Sequence, residues 1–203
     1  AAPLPFRDHA AGERLQRAGK SADLIFTPSP GALSLLSYGF FDYHEPQVSN
    51  YAAVVSHQRY RPSRPRQVLK LAEVRNIRAT AFLEMDYRPW LAEEIGIAAD
   101  SLYTYCALVG EVFQNIAHHS ETLGGCTFSE HFTAQRIVTT AISDCGITIP
   151  ARVRTRFDEF DDAQCLLKAC EEGFTTQTNV KNRGAGLNLL LAYVVQAYGG
   201  RVT

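Results

Sequence analysis

The chain has 203 residues, of which 46% are hydrophobic, and a formal charge of −1 at pH 7, so it can bury a sizeable core, as one domain or as two small ones. It contains no apolar run of eighteen residues and no basic-then-apolar N-terminal segment, which argues against a membrane span or a signal peptide and predicts a bacterial-type cytoplasmic protein. Five cysteines, an odd number without Cys-x-x-Cys spacing, predict reduced thiols rather than a disulfide framework.

Residues 1–57 are predicted to form a small α/β module. Residues 24–26 fit a buried strand, and residues 31–42 fit a short helix that ends at Gly39 before an aromatic pair. This string resembles the end of a STAS-like module, in which a helix and a Gly-Phe-Phe sequence close a small α/β sandwich. Any other small α/β module, or an incomplete one, fits the same residues.

Residues 58–96 are predicted to connect the two halves of the chain. Four arginines, a tyrosine and two prolines lie in residues 58–66, and proline disfavours a continuous helix. A basic stretch of this kind can follow a nucleic-acid backbone, but the near-neutral chain argues against nucleic acid as a partner. A short helix is predicted at residues 89–95.

The first polar motif lies on a predicted helix near residues 100–119, with Asp100 as its N-cap. Apolar residues recur three and four positions apart, as on one buried helical face: Leu102, Tyr105, Cys106, Val109, Val112, Phe113 and Ile116. The opposite side holds the polar residues Glu111, Asn115, His118 and His119. Glu111 and Asn115 are one turn apart, so a carboxylate and an amide oxygen project side by side, as in enzymes that handle metal and water. An ordinary solvated face is the alternative.

The second motif follows two β-rich runs, residues 126–132 and 136–143, which are predicted strands. Asp144 and Gly146 come directly after the second run. Asp144 either forms a turn or accepts a hydrogen bond from an exocyclic amine. In the second case Gly146 lets a flat base lie against the backbone.

The third motif joins the end of one predicted helix to the start of another. A helix near residues 161–171 is expected to end at Gly173, with Ala163, Leu166, Leu167 and Cys170 on its buried face. Gly184 and Gly186 open a strongly apolar helix over residues 184–198, with a stripe of Leu187, Leu190, Leu191, Val194, Val195 and Tyr198. A glycine-bracketed helix start offers free N–H groups to phosphate, although glycine also serves any tight loop.

In this order the three motifs resemble those of the GHKL superfamily, the Bergerat-fold ATPases of type II topoisomerases, mismatch-repair proteins, chaperones, histidine kinases and anti-sigma-factor kinases. The resemblance covers about the C-terminal half, residues 97–203, and implies a two-layer α/β sandwich that binds ATP and Mg²⁺. It implies that Glu111 is the catalytic base, that Asn115 is the Mg²⁺ ligand, and that Asp144 recognises the adenine amine.

The resemblance also implies further nucleotide contacts, namely His118, Gly146, Thr176, Gly184, Ala185, Gly186 and Leu187, with residues 177–183 as a mobile lid. Thr148 stands where the family normally has a second glycine after the aspartate, which bears on the mobility of the lid. The family normally continues with one more strand beyond the position of Thr203, so we expect this chain to be part of a longer product.

The resemblance implies a regulatory protein that binds ATP or ADP and acts through a protein partner or as a homodimer. Two enzymatic hypotheses remain open: an Mg²⁺-dependent ATPase whose lid reports the nucleotide state, and an anti-sigma-like kinase for Ser or Thr on a STAS partner. The alternative from another class is a non-catalytic interaction module gated by nucleotide. A sensor histidine kinase is not favoured, because His57 is followed by Gln58 rather than by an acidic residue and no long heptad pattern precedes Gly96.

Overall fold

The structure, a computed structural model, describes residue 35 and residues 49–56, 68–176 and 186–203. In chain order the elements are helix α1 (Tyr51–Ser56), strand β1 (Val68–Arg75), helices α2 (Ala79–Phe82), α3 (Arg88–Ile95) and α4 (Tyr103–His119), strands β2 (Gly124–Phe132) and β3 (Ile137–Ser143), and helices α5 (Ile149–Arg154), α6 (Asp162–Ala169) and α7 (Gly186–Leu191). The mixture of helices and a small sheet agrees with the predicted α/β class. Within these ranges, no helix is both long enough and apolar enough to span a bilayer.

Several predicted features lie outside the described residues. They are the strand at 24–26, the STAS-like string at 31–42 apart from residue 35, the arginine-rich stretch at 58–66, and the lid at 177–183 with Gly184 and Ala185.

The three strands form one sheet in the order β1, β2, β3. β2 is central, and its residues from Cys126 to Ser129 are at most 3% exposed, as expected for a strand with neighbours on both edges. β2 and β3 pair antiparallel, with Cys126 opposite Ser143. Both predicted strands are therefore confirmed, whereas β1 was not predicted. β3 begins one residue late because Arg136 adopts a left-handed turn conformation, with φ of 55°.

Two compact units divide the chain, and each is described by itself. Among the described residues, the first unit contains residues 35, 49–56, 68–74 and 126–145, and the second contains residues 75–125, 146–176 and 186–203. The sequence-based bounds at 57 and 96 differ from this division and remain predictions.

An aromatic cluster fills the core of the second unit. Tyr87 is fully buried and stacks on Tyr105 with ring centroids 6.5 Å apart. Phe82 meets Phe113 edge-on at 6.2 Å, and Tyr105 meets Tyr198 in the same way at 5.9 Å. These edge-on and offset arrangements suit the quadrupoles of the rings. The cluster therefore ties the segment before α4 and the end of the chain to α4.

Helix α4 confirms the predicted buried face but corrects its start. Five of the predicted residues are at most 7% exposed: Leu102, Cys106, Val109, Phe113 and Ile116. The predicted N-cap at Asp100 is wrong, because Asp100 lies in a 3₁₀ turn, Ala99–Leu102, and the α-helix begins at Tyr103. The helix predicted at residues 89–95 is confirmed as α3, which ends at Gly96 with φ of 69°.

Helix α6 forms, but its predicted apolar face is wrong. Leu166 and Leu167 are 46% and 72% exposed, whereas Cys165 on the opposite side is fully buried. α6 packs against α5, and the Lys168 ammonium lies 5.5 Å from the ring centroids of both Phe157 and Phe174. The helix also ends at Ala169, before the expected stop at Gly173.

Helix α7 is described from Gly186 and continues as a π-helical turn, Ala192–Ala197, to Gly199. A π turn inserts an extra residue and shifts the helical phase. For this reason the predicted stripe holds only at its start, and Val195 and Tyr198 are 46% and 56% exposed.

Candidate functional site

The structure brings the first and third motifs together in the second unit. Glu111 is half-buried on α4, and helix α7 packs against α4. A Cβ atom built on Gly186 would lie 2.8 Å from Glu111 Oε2 and 3.3 Å from Glu111 Cβ. Glycine at this position therefore allows the start of α7 to lie directly against the Glu111 side chain. Leu187, the next residue, is also half-buried.

Asn115 lies one turn after Glu111 and is also half-buried, whereas His118 is exposed. The His118 ring meets the His119 ring edge-on, with centroids 6.4 Å apart. Amide and carboxylate oxygens suit Mg²⁺, which in nucleotide sites takes one or two protein oxygens together with phosphate and water. Glu111 and Asn115 fit that chemistry. The described residues contain no group of three or more His, Cys, Asp or Glu side chains that could hold a metal ion.

Thr176 meets α4 through His119, which is not among the nucleotide contacts that the resemblance implies. The Thr176 hydroxyl and His119 Nδ1 form a hydrogen bond of 3.2 Å. Burial, then the neighbouring His118 and Arg152, lower the pKa of His119 below its usual value. The ring is therefore neutral near pH 7 and carries a single N–H.

Two arginines of the segment around α5 were missed by the sequence analysis. Arg152 donates through Nε and Nη2 to the His119 carbonyl at 3.2 and 2.9 Å. Arg156 donates through Nη1 to the Thr175 carbonyl at 3.1 Å and through Nη2 to the Thr176 carbonyl at 2.9 Å. No sequence signal indicates which carbonyls these side chains would reach.

Gly146 has a structural role that the sequence did not reveal. A Cβ atom there would lie 1.9 Å from the Ser120 carbonyl oxygen, and the next residue, Ile147, donates its N–H to that same oxygen at 3.0 Å. Ser120 is itself held by hydrogen bonds from its hydroxyl to the Ile116 carbonyl at 2.6 Å and with Thr122 Oγ1 at 2.7 Å. Within the second unit, residues 146 and 147 are thus fixed to the end of α4.

Asp144 follows β3 in the first unit and is half-buried, and its carbonyl accepts a hydrogen bond of 3.4 Å from Ser143 Oγ. Its predicted contact with adenine remains a prediction. Gly184 and Ala185 lie outside the described residues.

A cleft of about 90 Å³ opens on a different face of α4 from Glu111 and Asn115. It is lined by Asn76, Ala79, Thr80, Leu83, Gly110, Phe113, Gln114 and Ala117. None of the predicted site residues borders it.

No protein-family model, no curated protein and no solved structure matches this chain. The resemblance to the GHKL superfamily therefore depends on the sequence motifs alone.

Proposed function

We propose that this chain is an ATP-binding regulatory protein of the GHKL type, which hydrolyses ATP or transfers its γ-phosphate with Mg²⁺ and controls a protein partner. In this proposal the C-terminal half adopts the two-layer Bergerat sandwich. The observation that carries the proposal is the contact between Glu111 and Gly186. Two motifs that lie 75 residues apart in the sequence are neighbours at this contact, and this proximity supports the proposal.

In this proposal each residue has a role that follows from its chemistry. Asp144 would accept a hydrogen bond from the exocyclic amine of adenine, and Asn115 would hold Mg²⁺ through its amide oxygen. Thr176, Gly186 and the neighbouring backbone face the phosphates. Mg²⁺, when bound, neutralises charge on the phosphates. Glu111 accepts the proton of the attacking water or hydroxyl, which is the role that requires a half-buried carboxylate close to the phosphate site.

The decisive experiment incubates the protein with γ-labelled ATP and Mg²⁺, alone and with a candidate STAS-type partner. Released phosphate indicates an ATPase, and labelled Ser or Thr on the partner indicates a kinase. ATP binding without either product indicates the non-catalytic, nucleotide-gated module. Absence of ATP binding under all of these conditions contradicts the proposal.

Substitution of the α4 residues separates chemistry from binding. Glu111→Ala is expected to leave ATP affinity close to that of the wild type and to lower turnover by about 10²–10⁴-fold, because it removes only a positioned proton acceptor. Asn115→Ala is expected to abolish the part of the affinity that depends on Mg²⁺, while weaker metal-free binding through Asp144 persists. Calorimetry with and without Mg²⁺, together with a phosphate-release assay, measures both effects.

Gln114→Ala is the matched control, because Gln114 is exposed on the same helix and faces the separate cleft. It should change neither affinity nor turnover. If Glu111→Ala retains full turnover, Glu111 is not the base.

A further inference from the structure

Two arginines tie the end of α4 to the residues around Thr176: Arg152 on α5, and Arg156 in the turn that follows α5. Arg152 holds the His119 carbonyl, and Arg156 holds the carbonyls of Thr175 and Thr176. The hydrogen bond between His119 and Thr176 links the same two segments directly. Side-chain hydrogen bonds from two directions therefore fix both the backbone and the hydroxyl of Thr176.

We propose that His119 and Arg156 are positioning residues that present the Thr176 hydroxyl to a phosphate oxygen of the bound nucleotide. The inference rests on the proposed function and extends it by assigning one contribution to the affinity for the triphosphate. In this proposal His119 is the tautomer that donates from Nδ1–H to Thr176 Oγ1, which leaves the hydroxyl hydrogen for the phosphate. With the other tautomer, the Thr176 hydroxyl would donate its hydrogen to Nδ1 of His119 and would present only oxygen lone pairs to an anion.

The use of Arg156 supports this assignment. Its planar guanidinium donates to two adjacent carbonyls, a geometry that a lysine ammonium cannot reproduce. Arg156 thereby acts on the backbone, and the hydroxyl remains the donor available to the ligand. His119 positions the Thr176 side chain. The His119 ring can do so because it is half-buried and because the His119 carbonyl is held by Arg152.

The test compares the affinities of ATP and adenosine in Thr176→Val and Thr176→Ser. Valine keeps the shape and removes the hydroxyl, so ATP affinity should fall about tenfold, the effect of losing one hydrogen bond to a charged group. Adenosine affinity should not change, because adenosine lacks phosphates. Serine keeps the hydroxyl and should keep most of the ATP affinity. Unchanged ATP affinity in Thr176→Val overturns the inference.

A double-mutant cycle tests the role of His119. His119→Phe should weaken ATP binding as much as Thr176→Val, and the double variant should lose little more, because both changes remove the same contact. Additive losses overturn the coupling. Arg156→Lys, which keeps the charge and loses the two-carbonyl geometry, should weaken ATP binding without affecting adenosine, and it tests the inference independently if Thr176→Val fails to fold. Arg154→Gln is the control, because Arg154 pairs with Asp162 and donates to the Phe160 carbonyl.

Nitrogen NMR of the His119 ring in the ligand-free protein gives a second readout that does not depend on nucleotide binding. A protonated Nδ1 with an unprotonated Nε2 is expected, and the reverse tautomer overturns the inference. The two proposals fail in different ways. If the wild type binds no ATP, the proposed function fails together with this extension, whereas ATP binding that is indifferent to Thr176→Val leaves the proposed function standing.

Discussion

At position 146 the backbone passes too close to the Ser120 carbonyl to accommodate a side chain. From the sequence, a glycine at 146 is expected because a flat base could lie against it. The structure gives a second reason for glycine at this position, and this reason needs no ligand. A nucleotide-binding motif and a tight packing contact can therefore require glycine at the same residue.

Gly146→Ala is expected to destabilise the fold by about 1–3 kcal/mol, because the added methyl group overlaps backbone atoms that cannot simply rotate away. Thermal or urea unfolding measures the loss. Gly110→Ala is the control, since its Cβ would meet only the mobile end of Leu83 at 3.2 Å within helix α4. Equal stabilities for the two variants would refute the steric explanation.

The Cys106 thiol is expected to give a distinct pH dependence of stability. Burial raises its pKa from 9.0 to about 11 in the folded protein. Below pH 9.0 the thiol is protonated in both the folded and the unfolded state, so its contribution to the free energy of unfolding is fully present. As the pH rises from 9.0 through about 11, the thiol of the unfolded state ionises first, which stabilises the unfolded state, and this contribution is lost. The free energy of unfolding should therefore fall more steeply in the wild type than in Cys106→Ala over that interval. Parallel pH profiles would contradict this prediction.

Among the helices, α4 was predictable because it is long and its apolar residues repeat over four turns. Leu102, Val109 and Phe113 are buried as the spacing requires. α6 has only eight residues, and its inward side is determined by partners outside the helix, namely the rings of Phe157 and Phe174, which lie near the Lys168 ammonium. Periodicity alone cannot reveal such partners.

The orientation of α6 can be tested by placing the same charge on its two sides. Cys165→Asp should cost about 3–5 kcal/mol, because it places an unpaired carboxylate in a fully buried position. Leu167→Asp should change stability by no more than about 0.5 kcal/mol, because that side chain is 72% exposed. Chemical denaturation of both variants gives the comparison. A larger loss at 167 than at 165 would support the face predicted from the sequence.

For the molecule as a whole, the sequence predicts candidate site residues that stand in local motifs, and it gives no signal for residues that are defined by long-range contacts. Glu111, Thr176 and Gly186 stand in recognisable motifs. Arg152 and Arg156 do not, because their partners are backbone carbonyls, which every residue possesses. Which carbonyls the two arginines reach depends on the folded structure, and residue type alone does not indicate it.

Binding of ATP should be visible as global stabilisation. A ligand at a hundred times its Kd adds about 2.7 kcal/mol to the free energy of unfolding. Asp144→Asn replaces an acceptor by a donor and should weaken ATP binding about ten- to a hundredfold, so the same ATP concentration should add only about 1.4 to 0.4 kcal/mol. Thermal unfolding with Mg²⁺ and ATP measures the difference, and GTP serves as the base-specific comparison. An equal rise in melting temperature for wild type and Asp144→Asn would exclude adenine recognition by Asp144.

The close approach of Gly186 to Glu111 has an evolutionary consequence. A methyl group at 186 would lie 2.8 Å from Oε2 of Glu111 and would displace that carboxylate, so the size of residue 186 and the direction of the side chain at 111 are coupled. Substitutions at the two positions should therefore covary among relatives, because both residues contribute to one packing contact between α4 and α7.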